Sequence, residues 1–320
     1  TNALGIIRSF EKTKIPVIAM SWYHDYGMSS RFCRSVLCPD PLDSKKLVDF
    51  LVNFGKSQAF KPVLFATSDL FLMPVIENKT ILEEYFHIPV CDWEILRNLI
   101  KKEYLYSLSA ELGIPCPKTK IITSNADLNG VMDGLSFPVI VKPSVNINFS
   151  NLLGSKAFIV KDQAELDGLI ASLLSTNLCE EKLVFQEYIP GDTTSLYTIT
   201  SYADQNFDIK AYSIGHKIRQ FPPQTGTIIS GKVTHVEAIL NQAREFVKAT
   251  RFYGISNIEF KKDLRDGSYK LMEINPRTGV WNLSVLRSGI NLPLMAYNDI
   301  LGHEVTEESN KTGELVWMIT

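Results

Sequence analysis

Two short acidic runs near the C-terminal end carry the residue types that hold a hard cation. One is Leu271-Met272-Glu273-Ile274-Asn275-Pro276-Arg277; the other, Ile255-Ser256-Asn257-Ile258-Glu259-Phe260, places Glu259 fourteen residues before Glu273. Each acid lies in an apolar run with strand character, and Asp266-Gly267 between the runs reads as a hairpin turn. Glu273 and Asn275 are two apart on one strand, so their side chains share a face. A hairpin would bring Glu259 in from the neighbouring strand. Carboxylates, an amide and one guanidinium in a single patch suit Mg²⁺ and phosphate, because Mg²⁺ prefers a few carboxylate oxygens completed by substrate phosphate oxygens. An exposed hairpin with solvated acids has the same local pattern, so the rest of the chain decides between the two.

Positioning such groups takes a large scaffold, and the chain is long enough for one. Its 320 residues allow two or three packed units. With 33 Lys and Arg against 35 Asp and Glu, the net charge is −2 and the signs are interspersed. No basic stripe argues for nucleic acid, no basic amphipathic helix argues for a membrane surface, and no apolar run approaches the ~20 residues of a membrane span. No signal-peptide pattern is visible. The five cysteines, Cys33, Cys38, Cys91, Cys116 and Cys179, make neither a paired metal spacing nor a disulfide frame. Scattered thiols in odd number fit a reducing cytoplasm, the expected compartment, and each reads as a small packed residue rather than a nucleophile.

The first hundred residues alternate helix and strand patterns. Ala3 to Glu11 is helical in pattern. Ile15 to Met20, Ser35 to Cys38 and Pro62 to Thr67 read as strands. Ser44 to Phe54 is an amphipathic helix with Asp43 or Ser44 as its cap. Alternation of this kind implies a parallel sheet with crossover helices, whose ligands gather at the C-terminal strand ends. Asp69 sits at one such end, as a substrate contact or as a helix N-cap. A sheet of this type usually opens on a strand, so a strand is expected ahead of the first helix.

Further along, Leu96 to Leu112 reads as one helix ended by Gly113 and Ile114-Pro115-Cys116-Pro117. Strands are expected at Lys120 to Ile122, at Phe137 to Pro143 and at Leu183 to Ile189, with a helix over Asp162 to Leu174. Thr194 to Ile229 reads as several antiparallel strands. A helix from Val236 to Thr250, capped by Thr234 or His235, precedes the acidic hairpin, and a final helix covers Leu292 to Ile300.

Taken in order, these pieces resemble the ATP-grasp superfamily: a helix with a lysine, Gly-Ile-Pro, a strand ending in a lysine, a strand running into an acidic hinge, then an acid and Glu-x-Asn-x-Arg. The order runs from about Lys102 to Arg277. Gly215-His216-Lys217-Ile218-Arg219-Gln220-Phe221-Pro222-Pro223 looks like the carboxylate–amine ligase branch, related to D-aspartate ligases and to the large subunit of carbamoyl phosphate synthase. The resemblance implies an α/β chain: an N-terminal parallel-sheet pre-ATP-grasp domain over residues 1–117, then a two-subdomain α+β ATP-grasp fold with a small subdomain over 118–190 and a large one over 191–320.

The resemblance also assigns residues. Lys102, eleven residues before Gly113, and Lys142, at the end of Val139-Ile140-Val141, match the two nucleotide-phosphate lysines; Lys101 is the fallback for the first. A lysine at a strand end is a held point charge for phosphate oxygens. Gln186, Glu187 and Ile189 are similar to the hinge that reads adenine through backbone groups. Asp192, with Thr193 as the alternative, matches the ribose position. Glu259, Glu273 and Asn275 match the ligands of Mg²⁺, with Mn²⁺ as a substitute, and Arg277 matches the arginine that steadies phosphoryl and acyl-phosphate oxygens. Lys217 and Arg219 alternate with apolar residues, so on a regular strand both face one way, toward the carboxylate or acyl phosphate. Trp281 and Asn282 either line the acceptor pocket or pack beside it. The chain departs from the family in having no glycine between Ser144 and Leu153, where most members carry a glycine-rich phosphate loop; Ser and Asn donors would have to serve there.

The implied activity is ATP-dependent joining of a small-molecule carboxylate to an amine through an acyl phosphate. A small-molecule kinase and a nucleotide-binding module without turnover are the alternatives. No nucleic-acid or membrane partner is expected, and a homo-oligomer is left open.

Overall fold

The computed structural model describes residues 2–128, 130–143, 157–175, 182–221, 226–309 and 315–318. The segment Ser144–Gly154, Cys179 and Pro222-Pro223 lie outside the described residues. By internal contacts the chain divides into two units: residues 1–97, 193–259 and 274–320 form one, and 98–192 with 260–273 form the other.

The chain opens on helix α1 (Asn2–Ser9), and β1 (Ile18–Ser21) and β2 (Arg34–Leu37) pair in parallel, Ile18 opposite Arg34 and Ser21 opposite Leu37. Helix α2 (Ser44–Lys56) is capped by Asp43, whose carboxylate accepts from the Lys46 N–H at 3.1 Å. The strand expected over Pro62 to Thr67 is reduced to one parallel bridge, Val63 to His87. Helix α3 (Asp69–Glu77) starts after Ser68, so Asp69 is its first residue rather than its N-cap.

The single helix expected from Leu96 to Leu112 is two: α4 (Trp93–Ile100) and α5 (Lys102–Glu111). Lys101 between them has extended backbone, φ −78° and ψ 118°. No Gly or Pro marks this break in the sequence, and burial of Leu96 and Leu99 before it and Leu105 and Tyr106 after it sets two different packing faces.

Strands β3 (Thr119–Ile122), β4 (Val139–Pro143) and β5 (Phe158–Val160), helix α6 (Gln163–Ser175) and strand β6 (Leu183–Glu187) follow. They form an antiparallel sheet in the order β3-β6-β4-β5. Its inward face packs Val139, Val141, Leu183 and Phe185 against Leu166 and Leu173 of α6, all essentially without exposure. The period-two pattern of β4, buried at Val139 and Val141, leaves Ile140 and Lys142 on the opposite face.

Next come β7 (Leu196–Ala203), β8 (Ile209–Phe221) and β9 (Thr227–Thr234), α7 (Glu237–Thr250), the hairpin β10 (Gly254–Lys262) and β11 (Tyr269–Asn275), α8 (Asn282–Arg287), α9 (Leu292–Ile300), β12 (Glu308–Ser309) and β13 (Val316–Met318). The second sheet has the order β11-β10-β7-β8-β9-β13, with β12 beside β8. Helix α7 carries no side-chain cap: Val236 occupies the N-cap in place of the expected Thr234 or His235. The Asp266-Gly267 turn holds as expected, with Gly267 at φ +74° and its N–H on the Asp263 carbonyl at 2.8 Å.

Trp281 closes the core of this sheet, packed edge-on to Trp317 at 4.9 Å and buried with Tyr202, Val285 and Leu292. Of the two readings open for Trp281, packing is what the fold displays. Its ring lies where side chains of Gly215 and Gly231 would be, because a Cβ there would stand 2.3 and 2.5 Å from the indole. Two glycines on adjacent strands thus make room for one tryptophan. The four described cysteines are free, and burial pushes the Cys91 thiol up to about 12, as for packed, unreactive residues.

Gly215→Ala is expected to overpack this contact and to lower stability by about 1–3 kcal/mol. Chemical unfolding measures it, and the loss should shrink in the background of Trp281→Phe. An unchanged midpoint would contradict the packing described.

Candidate nucleotide and metal site

In the unit containing β3 to β6, the site begins with Lys142. Pairing of β4 with β6 puts Ile140 opposite Gln186 and Lys142 opposite Val184, so Lys142 and Gln186 are diagonal neighbours on one face. The Lys142 ammonium donates to Gln186 Oε1 at 2.9 Å and to the Tyr106 hydroxyl at 3.4 Å, and lies 5.6 Å from the Tyr106 ring centroid. Gln186 is fully buried. Its amide nitrogen donates to Thr119 Oγ1 at 2.9 Å, and Thr119 donates on to the Pro117 carbonyl at 2.9 Å. Tyr106 is anchored by its hydroxyl on the Met272 carbonyl at 2.7 Å. A chain of neutral groups therefore aims one ammonium.

Lys102 opens α5, where the amide dipoles point their positive end. Burial drives both lysines down to about 8, and the charge of Lys142 pushes Lys102 further in the same direction, while Glu273 opposes the shift at both. Sequence order expected these two cations. Tyr106 and Thr119, which shape the site, were not singled out because nothing in their local pattern separates them from packing residues.

The hinge residues divide. Gln186 faces Lys142. The Glu187 side chain accepts from the Lys118 N–H at 3.2 Å and pairs with Arg265 at 2.7 Å, so it braces the strand end. The N–H groups of Glu187 and Tyr188 go to the carbonyls of Lys118 and Pro138, whereas among the described residues no hydrogen bond reaches the main chain of Ile189. Asp192 lies near Lys261, whose charged form it supports.

In the other unit, Arg277 is held from several sides. Its Nε and Nη2 donate to the two carboxylate oxygens of Asp69, both at 2.7 Å, and Nη2 also reaches Asn275 Oδ1 at 3.3 Å. Its carbonyl accepts from Asn257 Nδ2 at 2.6 Å, and Thr200 fixes that amide by donating to its oxygen at 2.8 Å. Of the two readings of Asp69, the N-cap fails and a two-pronged grip on Arg277 takes its place. Lys217 is buried and donates to Glu259 Oε2 at 2.7 Å, so two residues expected in different roles are paired. Arg219 does not share that environment. The ladder between β8 and β9 shifts register between Lys217 and Arg219 and again before Gln220, and Arg219 is exposed while Lys217 is buried. The expected alternation fails because a bulge changes which face each residue takes.

Glu259 and the pair Glu273 and Asn275 lie on neighbouring strands β10 and β11. Glu273 is exposed, and Glu259 and Asn275 are half-buried. Among the described residues no three His, Cys, Asp or Glu gather into a ready-made metal cage. Two carboxylates and one amide are hard oxygen donors, a set that fits Mg²⁺ when phosphate oxygens and water complete the shell.

Residues 215–318 match the family model for an ATP-grasp in the biosynthetic pathway with Ter operon. The chain is 26% identical over 313 residues to the D-aspartate ligase of Enterococcus faecium (strain Aus0004), covering 93% of this chain and 74% of that one. The fold is similar to that of an L-amino acid ligase from Bacillus licheniformis, with a TM-score of 0.70, 19% identity, and 94% and 72% of the two chains covered. Part of its sequence and its fold thus resemble the ATP-grasp superfamily. The expected ATP-grasp fold is borne out over nearly its whole length. The chain is also similar in fold to the biotin carboxylase domain of the Hydrogenobacter thermophilus 2-oxoglutarate carboxylase, solved with MgADP and bicarbonate, at a TM-score of 0.72, 14% identity, and 98% and 71% coverage. Carbamoyl phosphate synthase large chains match as well, but the chain spans 49% or less of their length. No described helix is long and apolar enough to cross a membrane.

The lysines carry a testable penalty. A folded-state pKa of about 8 for Lys142 lies below its ordinary value of 10.5, so the unfolded chain holds more protons between those values. The cost to stability is full below pH 8 and fades as pH rises toward 10.5. Lys142→Met should therefore raise stability at pH 7 by about 1–3 kcal/mol, with the gain shrinking toward pH 10. Urea midpoints at several pH values test this; a variant destabilised at pH 7 would contradict it.

Proposed function

We propose that this chain is an ATP-dependent carboxylate–amine ligase acting on amino-acid-type substrates through an acyl phosphate. One observation carries the reading: two half-buried lysines near each other, the inner one held, among the described residues, by the neutral side chains of Gln186 and Tyr106. Such a site is costly until a polyanion arrives, and a nucleotide polyphosphate supplies that charge. Likeness to a D-aspartate ligase and to an L-amino acid ligase supports ligation rather than phosphoryl transfer to a hydroxyl.

In this reading residues 1–117, 118–190 and 191–320 serve as the pre-ATP-grasp domain and the two ATP-grasp subdomains. Lys102 and Lys142 take α- and β-phosphate oxygens, and Gln186 and Tyr106 keep Lys142 aimed. The Ile189 main chain meets the adenine edge, beside Gln186 and Glu187, and Asp192 takes the ribose. Glu259, Glu273 and Asn275 would hold Mg²⁺, which would supply positive charge to offset that of the phosphates. Lys217 orients Glu259 through its ion pair. Arg277 steadies the phosphoryl and acyl oxygens, and Arg219 offers a second cation for the substrate carboxylate.

The chemistry balances in two steps. A carboxylate oxygen takes the γ-phosphoryl as the bond to the β-phosphate oxygen breaks, giving ADP and an acyl phosphate. The amine nitrogen then bonds to the acyl carbon, the carbon–oxygen bond to phosphate breaks, and the amine gives up a proton as phosphate leaves. The protein positions and screens charge and supplies no nucleophile of its own.

ADP release measured across pairs of amino acids with Mg²⁺ should show turnover that depends on both partners. Hydroxylamine should trap an acyl derivative of the carboxylate partner. Glu273→Ala should lose turnover by about a hundred- to a thousandfold with unchanged circular dichroism, the range found when a charge-stabilising group is removed. A stable phosphorylated product instead of a trapped acyl group would replace the ligase by a kinase, and turnover unaffected by Glu273→Ala would refute the site.

A further inference from the structure

In the larger unit, the protein itself meets most of the Arg277 guanidinium. A guanidinium carries five N–H donors in a fixed fork. Nε and one Nη2 N–H go to the two carboxylate oxygens of Asp69, both at 2.7 Å. The second Nη2 N–H reaches Asn275 Oδ1 at 3.3 Å, and one Nη1 N–H reaches the Thr278 carbonyl at 3.2 Å. Among the described residues the other Nη1 N–H has no acceptor. The inner edge, Nε with Nη2, is thus closed by short charge-assisted bonds. The outer edge, Nη1 with Nη2, has among the described residues only long contacts to neutral oxygens.

The carboxylate that closes the inner edge has a rigid mount. Asp69 is the first residue of α3, and the Ser68 carbonyl fixes the start of that helix by accepting from the Phe71 and Leu72 N–H groups at 3.2 and 2.9 Å. Leu72, Val75 and Ile76 anchor the helix by their burial. The Arg277 main chain is fixed without the side-chain pair. Its N–H donates to the Asn275 carbonyl at 2.8 Å, and its carbonyl accepts from Asn257 Nδ2 at 2.6 Å. Nor is the pair a large source of stability, because the Asp69 side chain is 61% exposed and exposed ion pairs contribute little. What the pair does fix is the plane of the guanidinium.

We propose that Asp69 is a positioning residue that selects the edge Arg277 uses: it closes the inner edge and leaves the Nη1–Nη2 edge to an incoming oxyanion. The contacts decide between the edges. At the outer edge an anionic oxygen replaces two long bonds to neutral acceptors. At the inner edge it would have to displace a carboxylate of its own sign held by two bonds at 2.7 Å. With one edge closed the fork is presented in a single orientation, and orientation is where a held group gains most. That the oxyanion is a phosphoryl or acyl-phosphate group rests on the ligase reading; the choice of edge rests on the Arg277 contacts alone.

Substitutions at both partners test this. Asp69→Asn keeps the side-chain shape but turns an amide N–H toward an arginine N–H. It should lower kcat for ADP release about a hundredfold, the cost of a misplacement of about 1 Å, with circular dichroism and the KM for ATP unchanged. Asp69→Glu keeps the carboxylate at an exposed position and should recover most of that loss. In an Arg277→Lys background Asp69→Asn should cost little more, because an ammonium has no edge to select. The Arg277 Nε–H nitrogen-15 NMR signal, assigned by its loss in Arg277→Lys, gives a readout independent of turnover. Its exchange with water should be about tenfold slower or more in the unsubstituted chain and in Asp69→Glu than in Asp69→Asn, the factor a charge-assisted hydrogen bond contributes. Equal exchange in all three, or an unchanged kcat in Asp69→Asn while Glu273→Ala is inactive, overturns the proposal and leaves the ligase reading standing. If no pair of amino acids gives turnover, the ligase reading fails instead, and the exchange comparison together with basal phosphate release from MgATP decides the role of Asp69.

Discussion

Everything in the smaller unit is arranged around one electrostatic constraint: an ammonium kept away from bulk water must be held by something. At Lys142 the holders among the described residues are a glutamine carbonyl and a tyrosine hydroxyl, both neutral. Neutral acceptors orient the charge without cancelling it, which leaves its field available to a ligand. That choice propagates outward. Gln186 must be buried, its amide must find Thr119, and Tyr106 must be anchored on Met272. The register of β4 on β6 is what makes the first of these contacts, so strand pairing and site geometry are a single requirement.

The larger unit treats its charges differently. Arg277 is already matched by the carboxylate of Asp69, and Lys217 by that of Glu259. A bidentate arginine–carboxylate contact fixes direction as well as charge, so Arg277 is aimed before any ligand arrives. Its main chain is fixed independently through Asn257. The close approach of Gly279 to Asn257, where a Cβ would stand 3.1 Å from the amide nitrogen, leaves little room for a side chain after Thr278.

The sequence was legible where chemistry and local periodicity coincide. The acidic hairpin reads correctly because a Gly267 turn joins two apolar runs that both have strand character, and the alternation of β4 places Lys142 opposite the core face. It was not legible where a nonlocal contact overrides a local pattern. The split of the Leu96 to Leu112 helix has no breaker residue, the strand at Pro62 to Thr67 is reduced to one bridge, and the bulge at Arg219 removes it from the face of Lys217. Tyr106, Thr119 and Asn257 gave no local signal, because a hydroxyl or amide in an apolar neighbourhood looks the same whether it packs or orients a neighbour.

By itself, then, the order of lysines, hinge, acids and arginine carried the ATP-grasp resemblance and named the charged groups, because each stands at a strand or helix end whose type is written locally. Only tertiary structure decided their partners: Gln186 on Lys142, Asp69 on Arg277 across 208 residues of chain, Lys217 on Glu259. Pairing depends on strand register and on where bulges fall, and those are set by packing summed over a whole sheet rather than by any one run of residues.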